Sequence, residues 1–170
     1  TLLLTKSNIL LAKILEKNNK IEEALKLLIK IENRISALSK SSEYRLHLPE
    51  ITYYQGHLFQ KYGQLNEAYN RYRLLHIDFP TNHLTHKAKK EMERIVKEDA
   101  SIIIKPLTLD EYEKRIKALL KDVAYQQVVS EISELLKSKI SLPANFYFNL
   151  AKGQKGLRKR KESISILKKF

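Results

Sequence analysis

Residues 53–80 read YYQGHLFQKYGQLNEAYNRYRLLHIDFP, and this stretch decides the fold. Gly56, Phe59, Gly63, Ala68, Tyr72 and Pro80 alternate small with aromatic side chains and end on a helix breaker. Gly63 divides two segments of helical composition and suits a left-handed C-cap. Pro80 stops the second segment, since it lacks an N–H and its ring clashes with the preceding turn. Two antiparallel helices approach closely only where small residues meet at their crossing. Gly56 and Ala68, twelve positions apart across the Gly63 turn, meet that need. Phe59 and Tyr72 are large enough to fill the space between this pair and the next.

Working outward, the same twelve-residue spacing of small residues recurs at Ala12 and Ala24 and at Ala151 and Ser163. Residues 109–137 hold Tyr125 and Leu135 in matching places but no small pair. Ala12 and Gly56 lie 44 positions apart, which predicts an insertion around SALSKSSEYR (36–45). Apolar residues recur with a period near 3.6 almost throughout. Ile9, Leu10, Ala12, Ile14 and Leu15 mark a first helix, and KNNK (17–20) breaks it. Ile21, Ala24, Leu25, Leu28, Ile31 and Ile35 form the stripe of a second. A third begins at Pro49, which fits a first helical turn, and runs to Tyr62. A fourth spans 66–77 and a polar fifth 83–98. In DASIIIKP (99–106) the three Ile would make a lone strand with no partner, so a packed linker is expected. Thr108 and Glu111 fit a capping box for the sixth helix. It meets the seventh near 122–125, SLP (141–143) opens an eighth, and KGQKGLRK (152–159) separates a ninth. The expected organisation is 1–98, a linker at 99–107, and 108–170.

These spacings resemble the tetratricopeptide repeat, whose period is about 34 residues. The resemblance implies an all-α fold, a right-handed superhelical array of antiparallel helix pairs. Thr52 stands where such repeats often carry Trp. The resemblance also implies that the first helix of each pair lines a concave binding wall. Carried onto this sequence, that wall holds Glu50, Tyr53, Tyr54, His57, Gln60 and Lys61 in the best-matching repeat. In the last repeat it holds Asn145, Phe148, Asn149, Lys152 and Lys155. The competing reading buries Tyr53, Tyr54 and Phe148 in the core, where helical aromatics usually sit. More narrowly, FPTNHLTHKAKKEMERI (79–95) followed by PLTLDEYEKRIKALLKDVAYQQVVSEISELL (106–136) resembles the N-terminal superhelix of bacterial soluble lytic transglycosylases, over roughly residues 45–170. That likeness implies a non-catalytic arm in the cell envelope or periplasm, serving a separate peptidoglycan-cleaving domain. A cytosolic peptide-binding adaptor is the alternative, and a helical repeat whose LRKRK run (157–161) meets nucleic-acid phosphates is a third reading. Glu162-Ser163 matches the dipeptide of the family's catalytic glutamate. No Gly-Leu-Met-Gln-like stretch follows, and Ser163 occupies the small position of the repeat, so Glu162 is rejected as an acid.

Composition narrows the rest. The 170 residues include 43% apolar and 30% charged side chains, four Gly, four Pro and no Cys. This excludes disulfides and thiolate metal sites and disfavours a fold of many short strands. No apolar run reaches the roughly 18–20 residues of a membrane span. The absent initiating Met and the helix-like SISILKKF at the end imply a piece of a longer protein. The net charge is +13, and residues 137–170 carry ten Lys or Arg against Glu162 alone, a local +9. Arg158, Lys159, Arg160 and Lys161 concentrate it into a basic patch for an anionic cell-wall polymer or an acidic protein. No helix-turn-helix, zinc or RNP-like motif supports a nucleic-acid partner. His83 and His86 share a helix face and would need a third ligand to bind zinc, but the DFP turn separates them from His76 and Asp78 is the nearest acid, so no metal or other cofactor is expected. His47 and His57 lack triad neighbours, and GQKG is too short for a phosphate loop.

Overall fold

The computed structural model describes residues 2–37, 46–138 and 140–168. Among them are nine α-helices and no strand. They are α1 (Leu2–Lys17), α2 (Ile21–Ala37), α3 (Leu48–Lys61), α4 (Leu65–Asp78) and α5 (His83–Glu98). After the 99–108 connection come α6 (Leu109–Lys121), α7 (Tyr125–Lys137), α8 (Ala144–Gly156) and α9 (Arg160–Leu167). The chain forms two units, residues 1–76 with 82–105, and 77–81 with 106–170. The expected insertion falls largely on 38–45, outside the described residues.

Four turns share one geometry and set the register of the whole array. Asn19 (φ 59), Gly63 (φ 78), Val123 (φ 60) and Arg158 (φ 62) take the left-handed conformation between α1 and α2, α3 and α4, α6 and α7, and α8 and α9. After each, the next N–H donates to a carbonyl five residues back at 2.9 Å: Lys20 to Leu15, Gln64 to Phe59, Ala124 to Leu119, and Lys159 to Gln154. Each left-handed residue also donates to the carbonyl three back. This is the Schellman closure, which satisfies the last carbonyls of the first helix and reverses the chain.

Counting seven residues back and five forward from these turns gives Ala12/Ala24, Gly56/Ala68, Ile116/Val128 and Ala151/Ser163, all buried. The three small pairs expected from sequence therefore hold one register about the turn, and all are buried. Ser163 Oγ donates to the Ala151 carbonyl at 2.9 Å, so side chain meets backbone there. A Cβ on Gly56 would lie 2.6 Å from a ring carbon of Tyr72, so that ring occupies the space a side chain would take. The α6–α7 pair keeps the twelve-residue register with Ile116 and Val128 in place of small residues.

In the first unit, the expected α2 stripe of Ala24, Leu25, Leu28, Ile31 and Ile35 is buried together with Ile9, Ala12, Ile51, Tyr54 and Leu58. Each fully buried Leu or Ile contributes about 1.5–3 kcal/mol of hydrophobic stabilisation. α2 packs on α1 and α3, and α3 touches α5. In the second unit, Ile116, Leu119, Val128, Ile132, Leu135, Leu142, Phe146 and Leu150 form the core. There α6 packs on α7 and α8, α7 on α8, and α8 on α9.

The caps follow local chemistry. Thr108 and Glu111 make the expected capping box: the Thr108 N–H donates to Glu111 Oε2 at 2.8 Å, and the Glu111 N–H to Thr108 Oγ1 at 3.2 Å. Asn82 Oδ1 accepts from the Leu84 N–H at 3.0 Å and opens α5.

Two expectations are corrected. KGQKGLRK does not lie wholly between helices, because α8 runs through Gly156. A Cβ there would meet the Tyr125 ring at 2.3 Å, and one on Gly153 would meet Val129 at 3.0 Å, so both glycines admit α7 rather than end α8. In the linker only Ile102 is buried, while Ile103 and Ile104 face solvent.

Candidate functional site

Four of the residues expected on the α3 wall share one side of that helix and are joined to α1. Glu50, Tyr54, His57 and Lys61 recur at three- or four-residue intervals along α3 and so share one side. Opposite them α1 presents Lys13 and Glu16. Glu16, with only 13% of its side chain exposed, accepts hydrogen bonds from the Tyr54 hydroxyl, the Lys61 ammonium and His57 Nε2, the last at 3.0 Å. Lys13 Nζ bonds Glu50 Oε1 at 3.0 Å and lies 5.7 Å from the centre of the Tyr54 ring. The Tyr54 and His57 rings stack, centroids 5.7 Å apart and planes 19° from parallel.

These contacts set the charge states. Burial works to raise the Glu16 pKa, but hydrogen bonds from Lys61, Tyr54 and His57 outweigh it and hold the value at about 2. Burial, and then the bond to Glu16, pushes the Tyr54 hydroxyl well above its ordinary value. A carboxylate so weakly basic and so fully engaged is unsuited to proton abstraction near neutrality. The cluster is better described as a tie between the first helices of two successive pairs.

The other expected residues of this wall point differently. Gln60 is half-buried, and its side-chain oxygen accepts from the Tyr72 hydroxyl of its own helix pair at 3.2 Å. Tyr53 is half-buried against Tyr72, ring centroids 5.6 Å apart. Burial, then the Glu91 carboxylate, raises the Tyr53 pKa. Phe59 is half-buried against the core and Pro80 follows α4, as the repeat requires.

On the other side of the first unit, Glu32 binds three helices together. It accepts from Arg71 Nη1 at 3.0 Å on both oxygens and from Gln55 Nε2 at 3.0 Å. Sequence reasoning missed Glu16, Lys13, Glu32 and Arg71. The available signal was charge on helix faces that also carry buried residues one turn away.

In the second unit, Phe148 is 52% exposed, and the Lys152 ammonium stands 4.4 Å from its ring centre. Lys155, Arg158, Lys159, Arg160 and Lys161 are exposed as well. Asn149 is corrected: it is buried and cannot contact a ligand on an open wall, since α8 turns that side to the core with Leu150 and Ala151. Asn145 is half-buried, and its bond to Glu113, after that of Lys117, lowers the Glu113 pKa. Arg115 and Glu131 form a paired bond between α6 and α7, with contacts of 2.8–3.0 Å.

Among the described residues, no three His, Asp or Glu side chains converge as metal ligands, and His83 and His86 are exposed on α5. No described helix is long and apolar enough to cross a membrane. Comparison with models of known protein families, with curated proteins and with solved structures finds no match.

Proposed function

We propose that the chain is a non-catalytic, tetratricopeptide-like binding module that holds a protein or peptide partner along the first helices of its pairs. The observation that carries this reading is the recurrence, in four helix pairs, of one turn with buried residues seven before and five after it. Such repeats spend their buried residues on neighbour-to-neighbour packing and leave long polar and aromatic side chains outside. On α8 those are Phe148, Lys152 and Lys155, whereas His57 and Lys61 on α3 are bonded to Glu16. Selection from a random peptide library, followed by amide chemical-shift mapping, tests it. The shifts should fall on α1, α3, α6 or α8. Shifts confined to α2, α4, α7 and α9, or no selected peptide at all, would remove the reading.

The narrower proposal is a cell-envelope arm of a peptidoglycan lytic transglycosylase, acting in the periplasm. It is supported by the sequence resemblance over residues 45–170 alone. Determining the gene sequence on both sides of this stretch tests it. A secretion signal upstream, with Glu-Ser and a Gly-Leu-Met-Gln-like motif downstream, is the expected result. A gene without them would leave only the general binding module.

A further inference from the structure

The second unit carries a cluster of cations without ion-pair partners among the described residues, and one of them, Lys152, lies against the Phe148 ring. Lys152, Lys155, Arg158, Lys159, Arg160 and Lys161 are exposed, and among the described residues none has an ion-pair partner. Local geometry opposes the cluster in two ways. Like charges within one or two turns repel. Arg160 and Lys161 occupy the first turn of α9, the positive end of the helix dipole, with Glu162 as the one acid there. Side chains kept at such a cost to stability point to a surface with a use.

The same surface offers an apolar anchor. Phe148, Lys152 and Lys155 are spaced i, i+4 and i+7, so they share one face of α8, and the turn holding Arg158 and Lys159 follows directly. An exposed ring beside unpaired cations suits a chain that supplies both carboxylates and an apolar side chain. A nucleic-acid strand is a poorer match. Strand-binding grooves use successive aromatic faces for stacking, and Phe148 is the one exposed aromatic ring on α8.

We propose that this face of the second unit docks an acidic polypeptide segment, with carboxylates against Lys152, Lys155 and the 158–161 cations and one apolar side chain on Phe148. The proposal rests on the binding-module reading and gives that module a partner class. Fluorescence anisotropy of the whole chain with a labelled Asp/Glu-rich peptide carrying one Leu tests it. Saturable binding at low ionic strength is expected, weakening as salt is added. Reversing Arg158, Lys159 and Arg160 to Glu together should weaken binding roughly tenfold or more. Phe148→Ser, or Ser for the peptide's Leu, should weaken it about threefold or more. Should the triple reversal fail to fold, Lys152→Gln with Lys155→Gln must shift affinity in the same direction. No peptide binding at low salt, binding unmoved by Phe148→Ser, or tighter binding of oligothymidylate than of the peptide overturns the proposal. A library peptide that maps to α3 while the acidic peptide does not bind would sink this surface alone and leave the module standing.

Discussion

Replacing Gly56 by Ala places a methyl carbon 2.6, 2.9 and 3.0 Å from three ring atoms of Tyr72. Ordinary carbon contacts begin near ~3.5 Å, so the overlap is close to an ångström. Tyr72 is fully buried and its hydroxyl is bonded to Gln60 at 3.2 Å, so the ring has no free volume into which to move. Overpacking of this kind costs about 1–3 kcal/mol. Ala is favoured over Gly inside a helix by about 1 kcal/mol, which leaves a net loss of up to about 2 kcal/mol. For a unit of about 100 residues, thermal unfolding should then fall by up to roughly 8–16 °C. Circular dichroism melts of the wild type, Gly56→Ala, Tyr72→Leu and the double variant complete the cycle. With the ring removed, Gly56→Ala should change sign and stabilise by up to about 1 kcal/mol. A higher melting temperature for Gly56→Ala in the native background, or the same effect in both backgrounds, would refute the close approach of α3 and α4.

The turns give a second prediction. Val123 is β-branched, 63% exposed and held at φ 60, so Val123→Gly should stabilise by about 1 kcal/mol in urea unfolding. Gly63→Ala should destabilise by a similar ~1 kcal/mol despite the open space around it, because the strain is in the backbone. Glu16 gives a third. Its folded-state pKa of about 2 lies below the ordinary 4.5, so its stabilisation is complete above the ordinary value and is lost as pH falls through the folded one. Wild type should exceed Glu16→Gln by about 1–2 kcal/mol near neutral pH, allowing for partners half-exposed to solvent. The difference should shrink between pH 4.5 and 2 in acid titrations of unfolding, and a gap independent of pH would contradict the network.

Much of the fold is legible in local signals because those signals act locally. The α2 stripe, the left-handed Gly63 and the Thr108–Glu111 box each depend on residues within a turn or two of one another. What stayed hidden depends on neighbours distant in sequence. Gly153 and Gly156 look like breakers until the Tyr125 ring and the Val128 and Val129 side chains are seen against them. The α6–α7 register is invisible in composition, since Ile116 and Val128 are not small and a β-branched Val123 argues against a left-handed turn. α1 carries apolar residues on two faces, so its periodicity could not choose between Ile9 and Leu10. The α3 wall was legible as a face. Its engagement by Glu16 was not, because the bonds join residues 38–45 positions apart.

The central claim is that first and second helices of a pair touch at residues twelve positions apart, and the cysteine-free chain allows a direct measurement. Ala151→Cys with Ser163→Cys, and separately Ala12→Cys with Ala24→Cys, place thiols at two such crossings with little change in volume. A disulfide closes only when the two Cα atoms lie within about 4.4–6.8 Å. Mild oxidation followed by proteolysis and mass spectrometry should give near-complete intrachain cross-linking for both pairs, with helix content unchanged. Thiols that stay reduced, or that link only between molecules, would contradict the account.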